Sequence, residues 1–107
     1  MLGNMGNMQG MMKKVQKMQE DMKKIQEDMK TRTVDATVGG GVVSVVMNGE
    51  KEVQSIKIDP ATVNPEDVEL LEDLIVAAVN EATKKVDDLM AQEMGKVTGG
   101  LKLPGMF

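Results

Sequence analysis

A chain of 107 residues with 41% apolar and 28% charged side chains has the size and composition of one globular domain. Cysteine and histidine are both absent, which removes disulfides, thiolate chemistry, zinc–thiolate sites and the side chain most used for proton transfer near neutral pH. The net charge of −4, taken whole, argues mildly against a polyanionic partner.

Residues 1–7 are Gly, Asn, Met and Leu and read as a flexible lead-in. This start lacks the basic residues and apolar stretch of a signal peptide, and no apolar run approaches the roughly 20 residues that span a bilayer. The expected compartment is the cytoplasm. A helix is expected over 8–31. Met8, Met11, Val15, Met18, Met22, Ile25 and Met29 are spaced alternately three and four apart, the a/d seam of a heptad repeat. Lys, Gln, Glu and Asp dominate the positions between them. So narrow a stripe suits pairing with another helix, or a helix standing clear of the body. Twelve methionines against one aromatic, Phe107, fit the same picture, because Met fills irregular contacts adaptably and shapes a rigid pocket poorly.

A three-stranded sheet is expected over 32–59. Thr33–Val38 is short and β-branched, as an edge strand is. Gly39-Gly40-Gly41 permits a tight reversal with positive φ. Val42–Met47 is the strongest strand and runs into Asn48-Gly49, the dipeptide that a type I′ hairpin favours. Glu50–Ile58 returns, and the three-residue step from Val53 to Ile56 breaks alternation and suggests a bulge. A second helix is expected over 64–95. Asn64 is its expected cap, Pro65 its first residue, and Glu66, Asp67 and Glu69 sit at the positive end of its dipole. Val68, Leu71, Leu74, Ile75, Ala78, Val79, Ala82, Val86, Leu89 and Met90 give it an apolar face wide enough to cover a sheet. Gly95 is the expected C-cap, and 96–107 a loose tail. The whole reads as one α+β domain, 1–107.

Charge is segregated along the chain. Residues 1–32 hold seven bases (Lys13, Lys14, Lys17, Lys23, Lys24, Lys30, Arg32) against four acids, a balance of +3. Residues 59–94 hold ten acids against two bases, a balance of −8. A projecting basic helix attracts phosphate despite a negative total. Lysines on a solvated helix also serve solubility alone and pair weakly with acids one turn away, and spacing does not separate the two readings.

No enzyme signature is present. The glycine triplet is not followed by a Lys-Ser/Thr pair or a helix, so it is a turn rather than a phosphate loop. Met94-Gly95-Lys96-Val97-Thr98 sits at a helix end of the wrong polarity for phosphate. The acidic cluster Asp59, Glu66, Asp67, Glu69, Glu72, Asp73 lacks the spacing of a calcium loop, and Ser44 and Ser55 have no base. No cofactor, metal or small-molecule substrate is expected. With Phe107 its one aromatic side chain, the sequence offers no stacking platform for bases, and single-strand binding is disfavoured.

Several segments then combine into a specific pattern: Met11-Met12-Lys13-Lys14-Val15-Gln16-Lys17-Met18-Gln19, the glycine triplet, Asn48-Gly49 and Ile58-Asp59-Pro60. They are followed by the run from Glu69 to Ala82 and by Leu103-Pro104-Gly105-Met106-Phe107. In this order they closely resemble the YbaB/EbfC family of bacterial nucleoid-associated proteins. The resemblance implies an α-β-β-β-α protomer and a homodimer joined through the sheet and second helix, with the first helices projecting like the arms of tweezers. It also implies binding to duplex DNA with low sequence specificity, and a role in nucleoid organisation or gene regulation. Lys13, Lys14, Lys17, Lys23, Lys24, Lys30 and Arg32 are the matching candidates for phosphate contact. The acidic second helix and the negative total point to weak, salt-sensitive binding, or to binding only by higher oligomers. The alternative is a protein-interaction module, adaptor or holdase-like, gripping a partner through Met-lined coiled-coil helices.

Overall fold

The computed structural model describes residues 2–98. They form α1 (Leu2–Met29), β1 (Thr33–Val38), β2 (Val43–Asn48), β3 (Val53–Ile58), a 3₁₀ turn (Pro60–Thr62) and α2 (Val68–Thr98). This is the expected α-β-β-β-α arrangement. The sheet has the order β1-β2-β3 with both ladders antiparallel.

One face of the sheet makes the core. Cross-strand partners share a face, so Ala36 with Val45, Val38 with Val43 and Val34 with Met47 present one apolar surface. α2 lies over β1 and β2 and inserts Ala78, Ala82 and Val86, all fully buried, against Val43, Val45 and Met47. Small alanines at i and i+4 let the helix approach closely, and Val86 and Leu89 extend the same stripe. The bulge expected between Val53 and Ile56 is present: Val46 pairs with Ser55 but Met47 with Val53, leaving Gln54 unpaired.

Gly39, Gly40 and Gly41 all have positive φ, as the reversal between β1 and β2 requires. The hairpin between β2 and β3 differs from the expected type I′ turn. Asn48 and Gly49 do not have positive φ; Lys51 does, at 65°. The Lys51 N–H donates to the Asn48 carbonyl (3.0 Å) and the Asn48 N–H to that of Glu52 (3.0 Å). These bonds close a three-residue loop whose last residue is left-handed. Asn48 stabilises it from within: its buried Oδ1 accepts from the N–H groups of Glu50 (2.9 Å) and Glu52 (3.0 Å). Gly49 has another reason to be glycine. Its N–H donates to the carbonyls of Met29 (2.9 Å) and Arg32 (3.0 Å), and a Cβ there would fall onto the Met29 carbonyl. The hairpin is thereby fastened to the end of α1.

Helix boundaries shift from the expected ones. α1 begins at Leu2, not Met8, because extending an existing helix needs no new nucleus and gains a bond per residue. It ends at Met29, and Lys30 and Thr31 form a turn against the carbonyls of Glu27 and Asp28. α2 begins at Val68. Asn64 and Pro65 form a turn instead, with Asn64 Oδ1 accepting from Glu66 N–H (3.0 Å), and Asp67 is the cap, accepting from Leu70 N–H (3.3 Å). Gly95 does not end α2, which continues to Thr98; a single glycine costs a helix only about 1 kcal/mol, and Val97 beyond it lines a cleft together with Ile25 of α1. Of the expected tail, 96–98 are helical and the rest lies outside the described residues.

The radius of gyration is 20.9 Å and the long dimension 77 Å. A compact domain of this length has a radius of about 13 Å. The difference comes from α1, of which the C-terminal part is packed and the remainder stands free.

Candidate nucleic-acid interface

The a/d seam of α1 has two halves. At its base Met29 is fully buried in the core and Ile25 packs against it, while Met22 and Met18 are half-buried. Farther out, no described residue covers it: Met8 is 64% exposed, Met11 67% and Val15 51%. The helix is therefore anchored by its last two turns and projects as an arm.

At 100° per residue, Lys13, Lys17 and Lys24 fall on one line opposite the seam. Lys14 lies off one flank, Lys23 and Lys30 off the other. All six are exposed. Among the described residues, none of Lys13, Lys14, Lys17, Lys23 and Lys24 is held in an ion pair. Residues 8–19 contain Lys13, Lys14 and Lys17 and no acid, so the outer arm is uniformly positive. Near the base Glu20 and Glu27 border the stripe and dilute it.

Arg32 and Lys30 are placed differently from the other five candidates. Lys30 pairs with Glu27 (3.2 Å). Arg32 lies beyond the helix, where its Nη1 reaches Glu93 of α2 (3.2 Å) and Asp28 (3.8 Å). Glu93 also accepts from Lys96 (3.2 Å). The hydrogen bond from Lys96, then that from Arg32, holds the Glu93 carboxyl below its ordinary value of 4.5, against the desolvation that pushes it up. Arg32 thus joins the arm's base to the end of α2. Lys51 bridges the hairpin to Asp87 (2.7 Å) in the same region.

A second surface lies between the sheet and α2, the elements through which the resemblance joins a dimer, although the sequence does not single out its residues as a site. Val53 and Ile56 share the core face of the sheet through their partners Met47 and Val45, yet they are 43% and 42% exposed because α2 does not reach β3. Thr83 of α2 touches Met47 (3.8 Å), and Val79 and Val76 continue its stripe one and two turns earlier. Val76 is 58% exposed. The result is an open apolar trough between β3 and α2. Its one signal in the sequence was Val76, an apolar residue off the broad face of the helix.

Among the described residues, no group of acids is arranged to hold a metal, and no helix is long and apolar enough to cross a membrane. The model of the YbaB/EbfC DNA-binding family matches residues 5–101. A nucleoid-associated protein of Halalkalibacterium halodurans is 62% identical over 103 residues, covering 96% of this chain and 100% of its own length. One of Pelotomaculum thermopropionicum is 59% identical over 102 residues, covering 95% and 97%. The crystal structure of an uncharacterized protein from Helicobacter pylori superposes with a TM-score of 0.61 at 27% identity, over 73% of this chain and 90% of that one.

Proposed function

The chain belongs to the YbaB/EbfC DNA-binding family, and from that premise we propose that it acts as a homodimer gripping duplex DNA through phosphate contacts, in organising the nucleoid or regulating genes. The family is one of nucleoid-associated DNA-binding proteins, not of enzymes. The observation that carries the proposal is the unpaired line Lys13, Lys17, Lys24 along an arm free of the body. Its side chains are long, solvated and unencumbered, so each can neutralise a phosphate without giving up an internal partner. Lys14 and Lys23 supplement them from the flanks. Arg32 drops out of the contact set, since its guanidinium is engaged with Glu93. Nothing in such a set reads base edges, which accords with low sequence specificity.

The trough between β3 and α2 supports the homodimer. Val53, Ile56 and Val76 leave a core half-covered, and a second copy bringing the same surface closes it by a two-fold arrangement. Burial of each such half-exposed side chain contributes about 1 kcal/mol, half the value for a fully transferred one. Two arms then present six stripe lysines. The location that follows is the nucleoid, within the cytoplasm.

Fluorescence anisotropy on a labelled mixed-sequence duplex tests this. Six neutralised phosphates give a log–log salt slope of about −5, a loss of roughly a thousandfold in affinity between 50 and 200 mM salt. A well-folded dimer that fails to bind even at the lower salt would exclude direct DNA binding. The second reading, a module that grips a protein through its arms, draws on the exposure of Met8, Met11 and Val15. Apolar gripping differs by holding its strength as salt rises.

A further inference from the structure

The outer half of the arm's seam is a continuous apolar strip, formed by Met8, Met11, Met12, Val15 and Met18, with the first four at least half exposed. We propose that it is the docking track for the chain's own segment Leu101–Phe107. This inference is independent of what the arm's lysines bind.

Three observations select this occupant. The first is direction. Arg32 beside Glu93, and Ile25 and Asp21 in one cleft with Val97, show α2 running antiparallel to α1, toward the arm's tip. α2 ends at Thr98, level with Asp21 and Ile25. The seam loses its cover just beyond that level, so the last described residue of α2 lies at the start of the exposed strip. The second is reach. From Asp21 to Met8 is thirteen residues of helix, about 20 Å. The nine residues 99–107 span up to about 30 Å when extended, enough to run the whole strip. The third is chemistry. Gly99-Gly100 disfavours further helix, and then Leu101, Leu103, Met106 and Phe107 supply four apolar side chains against one charge, Lys102.

A second arm laid antiparallel fits the strip poorly. Residues 8–19 carry Lys13, Lys14 and Lys17 and no acid. Laid antiparallel, two such segments bring their Lys14 side chains together beside the seam, while Lys13 and Lys17 stay on the outer face. Like charges at that position oppose pairing. The tail brings one charge where a second arm brings three. It covers the methionine face and leaves the opposite line of Lys13, Lys17 and Lys24 open.

The composition provides a direct test. Phe107 is the only aromatic residue, and there is no Trp, Tyr or His, so any aromatic ring current in this protein comes from Phe107. Methionine ε-methyl resonances are recorded in the full chain and in Phe107→Leu. Docking requires that at least one of Met8, Met11, Met12 and Met18 shift between the two, while the buried Met29 and Met47 stay in place and certify the fold. If no arm methyl shifts, the proposal fails. Mixing isotope-labelled Phe107→Leu chains with unlabelled wild-type chains identifies the donor. Unchanged labelled arm methyls mean docking within one chain, as proposed. Shifts restored in the labelled arms mean that a second copy's tail occupies the strip, which overturns it.

Discussion

Replacing Gly49 by alanine tests whether the hairpin positions the arm. The backbone of Gly49 lies against the end of α1, donating one N–H to two carbonyls, those of Met29 and Arg32. An added methyl would overlap the Met29 carbonyl and come within 2.7 Å of the Met29 Cβ. Neither is the free end of a flexible side chain, so the backbones must separate. Separation forfeits the hydrogen bond, about 1 kcal/mol. It also disturbs Met29, which is 1% exposed and, with Met47, among the largest fully buried side chains; forcing volume into such a site costs about 1–3 kcal/mol. The expected loss is therefore about 2–4 kcal/mol, read from urea unfolding followed by helical circular dichroism. Protomer concentration must be held fixed, since the stability of the proposed dimer depends on it. Gly10→Ala is the control. That glycine is helical and a Cβ there meets nothing within 4 Å, so the same substitution should stabilise the arm, by up to about 1 kcal/mol. A Gly49→Ala protein within about 0.5 kcal/mol of wild type, the usual range for an inconsequential surface change, would refute the reasoning.

Ile56→Asp places a charge in the trough twice per dimer. Sedimentation velocity should show at least a roughly hundredfold weaker association, and an unchanged sedimenting species would remove the trough as the interface. Lys17→Gln should reduce the magnitude of the DNA-binding salt slope by about 2 per dimer, whereas Arg32→Gln should leave it unchanged; a reduced slope in the arginine variant would return Arg32 to the contact set. Glu93 has a depressed folded-state pKa, so its contribution to stability is fully present above the unfolded value near 4.5 and is lost as pH falls through the lower folded value. The stability difference between wild type and Glu93→Gln should accordingly be flat near neutrality and shrink below about pH 4.5, as urea midpoints across that range will show; a difference growing toward acid would contradict the assignment.

Element type was legible because the periodicities were strong. The heptad seam, the β-branched runs and the apolar face of α2 each admitted one reading, and the Val53–Ile56 step disclosed the bulge at Gln54. Local punctuation misled wherever tertiary contact decided. Asn48-Gly49 carried the signature of a type I′ turn, but Gly49 is selected by the nearness of Met29, residues distant in sequence that spacing does not connect. Asn64-Pro65 starts a turn or a helix equally well, and Asp67 took the cap. Gly95 stayed helical because one glycine costs a long helix only about 1 kcal/mol. At the candidate site the lysines could be counted but not sorted. Seven bases in one segment look alike until Glu93, sixty-one residues from Arg32, turns one of them into a fastening.

Phosphate responds to local potential, so a net charge of −4 does not oppose the proposed contact between arm and DNA. Charges are screened over about 8 Å at physiological salt. Lys13 stands sixteen residues from Met29, about 24 Å along the helix, and Lys17 about 18 Å. The acids of α2 between Glu69 and Asp88 lie on the far side of that base, several screening lengths from the outer arm. At physiological salt, then, the outer arm acts as a cation and the body's charge is not felt. At 10 mM the screening length grows to about 30 Å, and the acidic body enters the field at Lys13 and Lys17. The salt dependence of DNA binding should therefore bend: steep between about 100 and 200 mM, and distinctly shallower between about 10 and 50 mM, where repulsion from α2 offsets part of the gain. Anisotropy titrations across the two ranges measure this directly. Charge-neutralising Glu81, Asp87 and Asp88 to their amides should straighten the plot by raising affinity at low salt alone. A plot linear over the whole range in wild type would mean that arm and body are not electrically separate, and the charge segregation would lose its functional meaning.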